Sequence, residues 1–210
     1  MQRSVRDRFV SGTGAPTSPS AMWQTPPAVF AALHEQIHFD LDLCADVDRA
    51  LLPRWFGPGS ELAKDALTAA WMRYGERGFC NPPYGVFIRD LLVKASAEQV
   101  NGFLSALLLP VRMTRAFHEF VLSGDARILM CDRRIAFFED GLPRLNERTW
   151  REKGKAIADP ALFDSMIVVF DPSRMGQATT IETWRVPPHV SKDDLARAAE
   201  ARLAREWATA

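Results

Sequence analysis

The sequence predicts a mixed α/β domain in which a mostly parallel sheet is flanked by helices. Short apolar segments with strand character alternate along the chain with segments of helical periodicity, which is the pattern of a parallel sheet. The run 103–109 is apolar throughout and ends at Pro110, as expected of a strand buried on both faces, and we expect it to neighbour the strand at Arg77–Cys80 in the sheet. Several later strand-like segments predict an antiparallel addition to this sheet. They are 126–131, 134–138, 163–170 and 179–186.

The composition predicts one globular domain without the features of a secreted or membrane protein. Of 210 residues, 47% are hydrophobic, which is enough to bury a core. Acidic and basic residues number 26 each, so any basic binding surface has to be local. Cys44, Cys80 and Cys131 are widely spaced in apolar surroundings, which fits reduced thiols. No apolar run is long enough to cross a bilayer, so we expect a cytoplasmic protein.

The N-terminal residues 1–20 are predicted to form a flexible arm. Gly, Pro, Ser and Thr dominate 11–20 and leave little apolar surface to bury. A first helix follows, with Thr25 as the expected N-cap and Pro26 in the first turn. The folded domain is expected to cover 21–186.

A first strand is predicted at 39–43, where apolar and acidic residues alternate. It delivers Asp42, Cys44 and Ala45 to its carboxyl end. Small side chains permit close approach of a ligand to the backbone, and a carboxylate can bind an amine or a hydroxyl, which suits a nucleoside-type cofactor. An ordinary exit from a strand into a loop explains the same residues equally well. Asp65, ahead of the next strand, is a second candidate for contact with a cofactor or a base.

The run Asn81-Pro82-Pro83-Tyr84 lies between a predicted strand, Arg77–Cys80, and a predicted amphipathic helix, 86–97. Ligands of open α/β sheets bind where strands end at their carboxyl side, so the sequence predicts a catalytic loop here. A plain turn is the alternative, because Asn-Pro pairs also punctuate loops.

The chemistry of this loop suits the activation of a planar NH2 group, whose lone pair is delocalised and weakly nucleophilic. The side-chain oxygen of Asn81 and the carbonyl of Pro82 can accept its two N–H bonds and direct the lone pair toward an electrophile. Pro82 and Pro83 fix φ, which aims the Pro82 carbonyl in advance, and Tyr84 can stack on the substrate. Adenine N6, cytosine N4 and a glutamine amide all satisfy this chemistry.

Two later regions carry candidate contacts to nucleic acid. Arg112 and Arg115 follow the buried strand and can hold a phosphate, although solvated surface arginines are the commoner case. The polar segment 139–160, which includes Arg148, Lys153 and a tryptophan, is the candidate for an insertion that binds nucleic acid by phosphate contacts and stacking. Acidic residues in this segment partly cancel its charge, so a solvated loop is the alternative.

The C-terminal region 187–210 is predicted to hold one peripheral helix, which begins with a capping box at Ser191. The chain has no P-loop, no HExxH and no Gly-x-Ser-x-Gly motif, and its histidines are scattered. We therefore expect no metal site and no histidine-based triad.

Several spaced motifs occur in order along the chain. They are Trp23-x-Thr25-Pro26, Phe39-x-Leu41-Asp42, Asp65-x-Leu67 with Trp71, Cys80-Asn81-Pro82-Pro83-Tyr84-Gly85, Leu108-Leu109-Pro110-x-Arg112 and Ser165–Phe170. Together they resemble the phage-type DNA N6-adenine methyltransferase (Dam-like) family. The resemblance covers about residues 22–171, and several agreeing motifs are far more specific than the Asn-Pro-Pro-Tyr run alone.

The resemblance implies an S-adenosylmethionine-dependent methyltransferase with a Rossmann-like sheet. It further implies action on a flipped adenine in DNA, without a metal, in the cytoplasm of a bacterial cell that carries the phage or prophage gene. The implied catalytic residues are Asn81, Pro82, Pro83 and Tyr84. The expected cofactor-binding residues are Trp23, Thr25, Pro26, Asp42, Cys44, Ala45, Asp65 and Asn81. The expected substrate contacts are Tyr84, Arg112, Arg115, Arg148 and Lys153.

The chain departs from the broader methyltransferase pattern at one point. The usual Gly-rich turn after the first strand is replaced by Leu43-Cys44-Ala45-Asp46. Alternative functions that use the same loop are cytosine-N4 and RNA adenine methylation. A non-catalytic nucleic-acid-binding protein of the same fold is the alternative from another class.

Overall fold

The computed structural model describes residues 23–85 and 87–208, and the predicted arm 1–20 lies outside them. The described residues form a mixed α/β fold around one six-stranded sheet with strand order β1-β2-β3-β7-β4-β8, and a two-stranded hairpin, β5-β6, lies beside it. In chain order the strands are β1 Leu41–Asp42, β2 Arg77–Cys80, β3 Leu104–Pro110, β4 Arg127–Cys131, β5 Phe138–Glu139, β6 Leu142–Pro143, β7 Ser165–Phe170 and β8 Thr180–Trp184.

All pairings in the large sheet are parallel except those of β7, which is antiparallel to both β3 and β4. The predicted mixed, mostly parallel sheet is therefore confirmed. The expected pairing of the strand before the Asn-Pro-Pro-Tyr loop with the buried apolar strand is also confirmed, because Cys80 pairs with Leu107. The antiparallel strand lies inside the sheet rather than at its edge.

Five α-helices accompany the strands in the described part of the chain, besides two 3-10 turns at Trp71–Arg73 and Pro172–Arg174. They are α1 Pro27–Ile37, α2 Phe87–Val100, α3 Arg115–Phe117, which continues as a π-helical turn over His118–Leu122, α4 Glu147–Lys153 and α5 Lys192–Ala208. The predicted capping box of α5 is present, since the Ser191 hydroxyl accepts from the Asp194 N–H while the Asp194 carboxylate accepts from the Ser191 N–H. Ala198 is the buried residue of α5, so this helix lies at the periphery.

The predicted N-cap of the first helix is wrong. The residue at the N-cap is Pro26, not Thr25, and no side chain caps the first turn. Pro27 takes the first helical position, for which its fixed φ and missing N–H are suited, and this moves the helix start one residue along the chain. The Thr25 side chain is thereby left available for another contact.

The sheet separates two apolar cores, as a strand buried on both faces requires. On one face Val29, Phe30 and Leu33 of α1 pack with Phe79 and the even-numbered residues of β3. On the other face α2 and α3 pack with Cys80 and the odd-numbered residues of β3. Because side chains alternate along a strand, a loop that leaves β2 borders both faces of the sheet.

In place of a Gly-rich turn, the chain after β1 loops round and runs parallel beside it. The Asp42 N–H donates to the Arg54 carbonyl, and the Phe56 N–H donates to the Asp42 carbonyl. Gly57 follows with φ of 144°, and a Cβ built there would overlap the Ala45 carbonyl oxygen. Glycine is therefore required at this close crossing of two backbone segments.

The strand predicted at 134–138 is not a strand of the large sheet. Its backbone donors are satisfied by distant partners instead: the Ala136 N–H donates to His189 Nε2, and the Phe138 N–H donates to the Gln24 carbonyl. Of this segment only Phe138 enters a strand, as the first residue of the β5-β6 hairpin. Among residues 23–85 and 87–208, no helix has the length and apolar character to span a membrane.

Candidate active site

The carboxyl ends of the parallel strands meet at one edge of the sheet. Asp42 closes β1, and Asn81 follows β2 directly. Because β7 runs the other way, its first residue, Ser165, pairs with Pro110 at the end of β3, and Phe163 just before it lies at the same edge. Residues distant in sequence are thus brought together where ligands of such sheets bind.

The Asn81 side chain is held in place from both ends. Its Nδ2 donates to the Trp23 carbonyl at 3.3 Å, and its Oδ1 accepts from the Tyr84 hydroxyl at 3.1 Å. The first bond spans the chain from the segment before α1, so tertiary structure determines the orientation of the amide. The carbonyl oxygen retains a second lone pair that can accept from a ligand.

Tyr84 is buried, with 8% of its surface exposed. Its ring makes edge contacts with Trp23 at 6.2 Å, Phe137 at 6.2 Å and Phe163 at 5.3 Å between centroids. Burial raises the pKa of Tyr84 well above its ordinary value of 10.0, and the thiols of Cys131 and Cys80 raise it further. The phenol therefore stays protonated and donates to Asn81.

Trp23, Tyr84, Phe137 and Phe163 form a cluster that we call the aromatic box. Trp23 stacks on Phe137 at 5.2 Å and on Phe163 at 5.7 Å. The guanidinium of Arg144 lies 4.9 Å from the centroid of the Trp23 ring, a cation–π contact. The box covers the ring that was expected to stack on a substrate, so a base can reach Tyr84 only if the box opens.

A cavity of about 20 Å³ lies beside Asn81, on the α1 face of the sheet. Five of the expected cofactor-binding residues line it: Trp23, Thr25, Asp42, Cys44 and Asn81. Other lining residues are Gln24, Arg49, Leu51 and Phe79, none of which was singled out from the sequence. Arg49 and Leu51 lie in a segment without motif or periodicity, so no sequence signal marked them.

Thr25 is the unusual residue of this cavity. It is 3% exposed, and its hydroxyl has no hydrogen-bond partner among the described residues. Buried hydroxyls are normally paired, and an unpaired one at a cavity wall is a position for a ligand atom or water.

Asp42 has a structural role in the same wall. One carboxylate oxygen accepts from the Cys44 N–H and the other from the Leu51 N–H, each at 3.1 Å. The carboxylate thus holds the turn after β1 against the cavity. Arg49, on that turn, forms ion pairs with Asp46 at 3.5 Å and with Asp140 at 3.6 Å.

Three expected cofactor residues do not line the cavity. Pro26 is the N-cap of α1, and its carbonyl accepts the first helical hydrogen bonds. The Ala45 N–H donates to the Phe56 carbonyl in the crossing described above. Asp65 accepts from the Leu67 N–H at 3.0 Å and shapes a turn.

The expected substrate contacts fall into separate places. Arg112 and Arg115 lie at the end of β3 on the opposite face of the sheet, beside the groove described below. Arg148 and Lys153 lie on α4, where Arg148 pairs with Glu152 at 3.0 Å. The tryptophan of that segment, Trp150, donates its Nε1–H to Glu206 of α5.

Cys131 closes β4 at the same edge of the sheet. Burial, followed by the charge of Asp132, raises the pKa of its thiol from 9.0 to about 12. The thiolate is the nucleophilic form of cysteine, so this residue supplies no nucleophile at neutral pH.

One protein-family model matches most of the chain. The family model described as DNA N-6-adenine-methyltransferase (Dam) matches residues 12–200. The chain belongs to this family. A search of curated proteins finds no match.

Membership of the Dam family implies a methyl donor and a DNA substrate. In the described parts of the chain, no three His, Cys, Asp or Glu side chains are grouped as a metal site. A cofactor held here has to suit the polar and apolar side chains that line the cavity beside Asn81. An unpaired hydroxyl, a carboxylate and the apolar side chains of Leu51 and Phe79 match a ligand with amine, hydroxyl and aromatic parts.

Proposed function

We propose that the protein transfers a methyl group from S-adenosylmethionine to the exocyclic N6 of adenine in DNA. The observation that carries the proposal is the Asn81 amide, held by Trp23 and Tyr84 at the carboxyl edge of the sheet beside the cavity that contains the unpaired Thr25 hydroxyl. Family membership supports the reaction class and the base.

The Asn81 and Pro82 oxygens act on the amino group of the base. Each accepts one N6 hydrogen bond, which turns the nitrogen lone pair out of conjugation and toward the donor. As the N6–CH3 bond forms, the S–CH3 bond of the donor breaks with its electron pair left on sulfur, and N6 releases one proton to solvent. The Tyr84 hydroxyl bond orients the Asn81 amide without using up its acceptor capacity, because a carbonyl oxygen has two lone pairs. The base keeps N6 paired in the duplex, so it is flipped out to reach this edge.

S-adenosylmethionine supplies an electrophilic methyl group on a sulfonium centre. The residues that would hold it are those of the cavity wall, with Thr25 and Asp42 as polar contacts and Phe79 and Leu51 as apolar ones. The cavity of about 20 Å³ has to widen around this cofactor. Movement of the aromatic box, which shares Trp23 with the cavity, would provide that space.

The DNA contacts in this proposal are Tyr84 at the base and Arg112, Arg115, Arg148 and Lys153 at the phosphates. Such a protein works where the chromosome or phage DNA is, in the cytoplasm of a bacterial cell. The resemblance to phage-type enzymes supports a phage or prophage gene.

The test is incubation with labelled S-adenosylmethionine and either unmethylated duplex DNA or RNA in parallel reactions, followed by digestion and mass spectrometry of the nucleosides. N6-methyladenine is the expected product. N4-methylcytosine would keep the loop chemistry and correct the base, and label only in RNA would correct the nucleic acid. No label, together with no cofactor binding by calorimetry, would overturn the proposal in favour of a non-catalytic binding protein.

A further inference from the structure

A second concave surface lies on the face of the sheet opposite the Thr25 cavity. This groove, of about 310 Å³, runs between α2 and α3 over the end of β3. Its floor is apolar and includes Leu92, Leu109 and Phe117. Gly85, the residue after Tyr84, is one of the residues that line the groove, so the groove adjoins the catalytic loop.

The rim of the groove is cationic. Arg89, Arg112 and Arg115 line it, and none of the lining residues, all from the described part of the chain, is acidic. Arg89 has a carboxylate nearby, Asp90 at 3.6 Å, and both side chains are exposed. Within residues 23–85 and 87–208, no ion pair or hydrogen bond engages the Arg112 and Arg115 side chains.

This arrangement differs from that of other arginines in the protein. Arg127 pairs with Glu182, Arg134 with Asp164 and Arg202 with Glu147. The whole chain has a formal net charge of +0, so unpaired guanidinium groups around one groove are a local excess of positive charge. A local excess of this kind attracts an anion.

The combination of an apolar floor and a guanidinium rim defines the chemistry of the ligand. Guanidinium groups bind phosphate oxygens in a fork, and an apolar surface accepts the face of a sugar or base. A volume near 300 Å³ is at the small end of ligand sites. We propose that the groove holds the nucleotide next to the flipped base, with its phosphates on Arg112 and Arg115 and its sugar and base against the apolar floor.

This inference rests on the proposed function, since it takes the strand that enters the active site to be DNA. It adds a direction: the strand leaves the catalytic loop past Gly85 toward α3. Arg112 and Arg115 thereby become contacts to one strand at a defined place, with Arg89 at the outer rim.

The test compares two double variants that each remove two exposed cations. The groove variant is Arg112→Ala with Arg115→Ala. The control is Arg73→Ala with Lys192→Ala, two exposed side chains away from the groove. Duplex DNA affinity is measured at several salt concentrations for both variants and for the wild type.

The groove variant is expected to reduce the slope of log affinity against log salt by about 1.8, since each lost phosphate contact contributes about 0.9. Its KM for DNA should rise at least tenfold while the affinity for S-adenosylmethionine stays within twofold. A slope and a KM equal to those of the control would overturn the inference.

A substitution that fills the apolar floor of the groove distinguishes a bound nucleotide from a bound phosphate alone. Ala116→Leu is expected to weaken DNA binding without changing the salt slope, because it removes space and no charge. Unchanged affinity in a folded Ala116→Leu protein would reduce the ligand to phosphate alone and overturn the nucleotide assignment. If this variant melts below the wild type, DNA with an abasic site next to the target adenine replaces it, and an affinity equal to that for intact DNA overturns the nucleotide assignment.

The outcomes distinguish the groove from the proposed function. If the wild type transfers methyl groups and the groove variant behaves like the control, the groove assignment is overturned and the proposed function stands. If the groove variant has a reduced salt slope but the wild type transfers no methyl groups, the proposed function is overturned and the groove remains a DNA-binding site.

Discussion

The Asn81–Tyr84 loop and the segment 139–160 were both candidates for function, and they differ in the contacts that hold their side chains. In the loop, Asn81 is bonded to Trp23, and Tyr84 is buried against rings from segments more than 50 residues away in sequence. On the exposed surface of α4, within the segment, Arg148 pairs with Glu152 and Arg151 with Glu147. The distant contacts of the segment belong to other residues, such as Arg144, which lies against the Trp23 ring.

The side chains of the loop are pre-organised by distant segments, whereas the charges of α4 are neutralised by neighbours in the same helix. Side chains held by contacts to distant segments keep one geometry, which is what a reaction that depends on aligned acceptors needs. Exposed ion pairs within a helix contribute at most about 1 kcal/mol and exchange readily with other partners. Substitutions in the loop should therefore have large effects on turnover, and those in the segment small effects on DNA affinity.

The largest effect is expected for Asn81→Ala. Loss of one positioned acceptor should lower turnover by at least about 100-fold, with cofactor affinity largely intact. Methyl transfer under saturating cofactor and calorimetry of cofactor binding measure the two quantities. Asn101→Ala, an exposed residue after α2, is the control; near-normal turnover of the Asn81 variant would contradict the assigned role.

A smaller loss is expected for Tyr84→Phe, which keeps the ring and removes the hydroxyl bond to Asn81. A neutral hydrogen bond of about 1 kcal/mol corresponds to a loss of about fivefold in turnover. The hydroxyl donates only while protonated, and the raised pKa of Tyr84 moves its loss above pH 10. The ratio of wild-type to variant turnover should therefore stay constant from about pH 6 to 9; a ratio that falls toward 1 within this range would contradict it.

A further effect, confined to the cofactor, is expected for Thr25→Val. The substitution conserves shape and removes the unpaired hydroxyl, so the KM for S-adenosylmethionine should rise by about three- to tenfold with turnover nearly unchanged. Thr183→Val, on the exposed surface of β8, is the matched control. A higher melting temperature with an unchanged KM would show that the hydroxyl contacts no cofactor.

The smallest effect is expected for Arg148→Ala with Lys153→Ala. Arg148 has to exchange Glu152 for a phosphate, so its net contribution is small, and DNA affinity should weaken by about two- to fivefold. Electrophoretic mobility shift at low salt measures it. A loss of tenfold or more would contradict the small contribution assigned to the segment.

The sequence was informative about the fold wherever local pattern and tertiary environment agree. The apolar run before Pro110 predicted β3 and its position next to β2, because a strand buried on both faces has no other composition. The segment 134–138 has the same apolar character, yet its donors go to His189 and Gln24, partners that no local pattern reveals.

In the candidate site, too, some features follow from the local sequence and others depend on tertiary contacts. The Asn81 loop was identified from its residues and its place after a strand. The bond from Tyr84 to Asn81 and the packing of Phe137 and Phe163 around it depend on how distant segments meet. The unpaired hydroxyl of Thr25 also needed the structure, since the sequence favoured that residue as a helix cap.

The crossing of Gly57 over the Ala45 carbonyl has a consequence for protein engineering. Any side chain at Gly57 displaces the turn that carries Asp42, Cys44 and Arg49 into the cavity wall. Under the proposed function, a library aimed at bulkier cofactor analogues should therefore randomise Leu51 and keep Gly57 constant, although Gly57 itself does not line the cavity. Screening by cavity-lining residues alone would miss the position with the least tolerance.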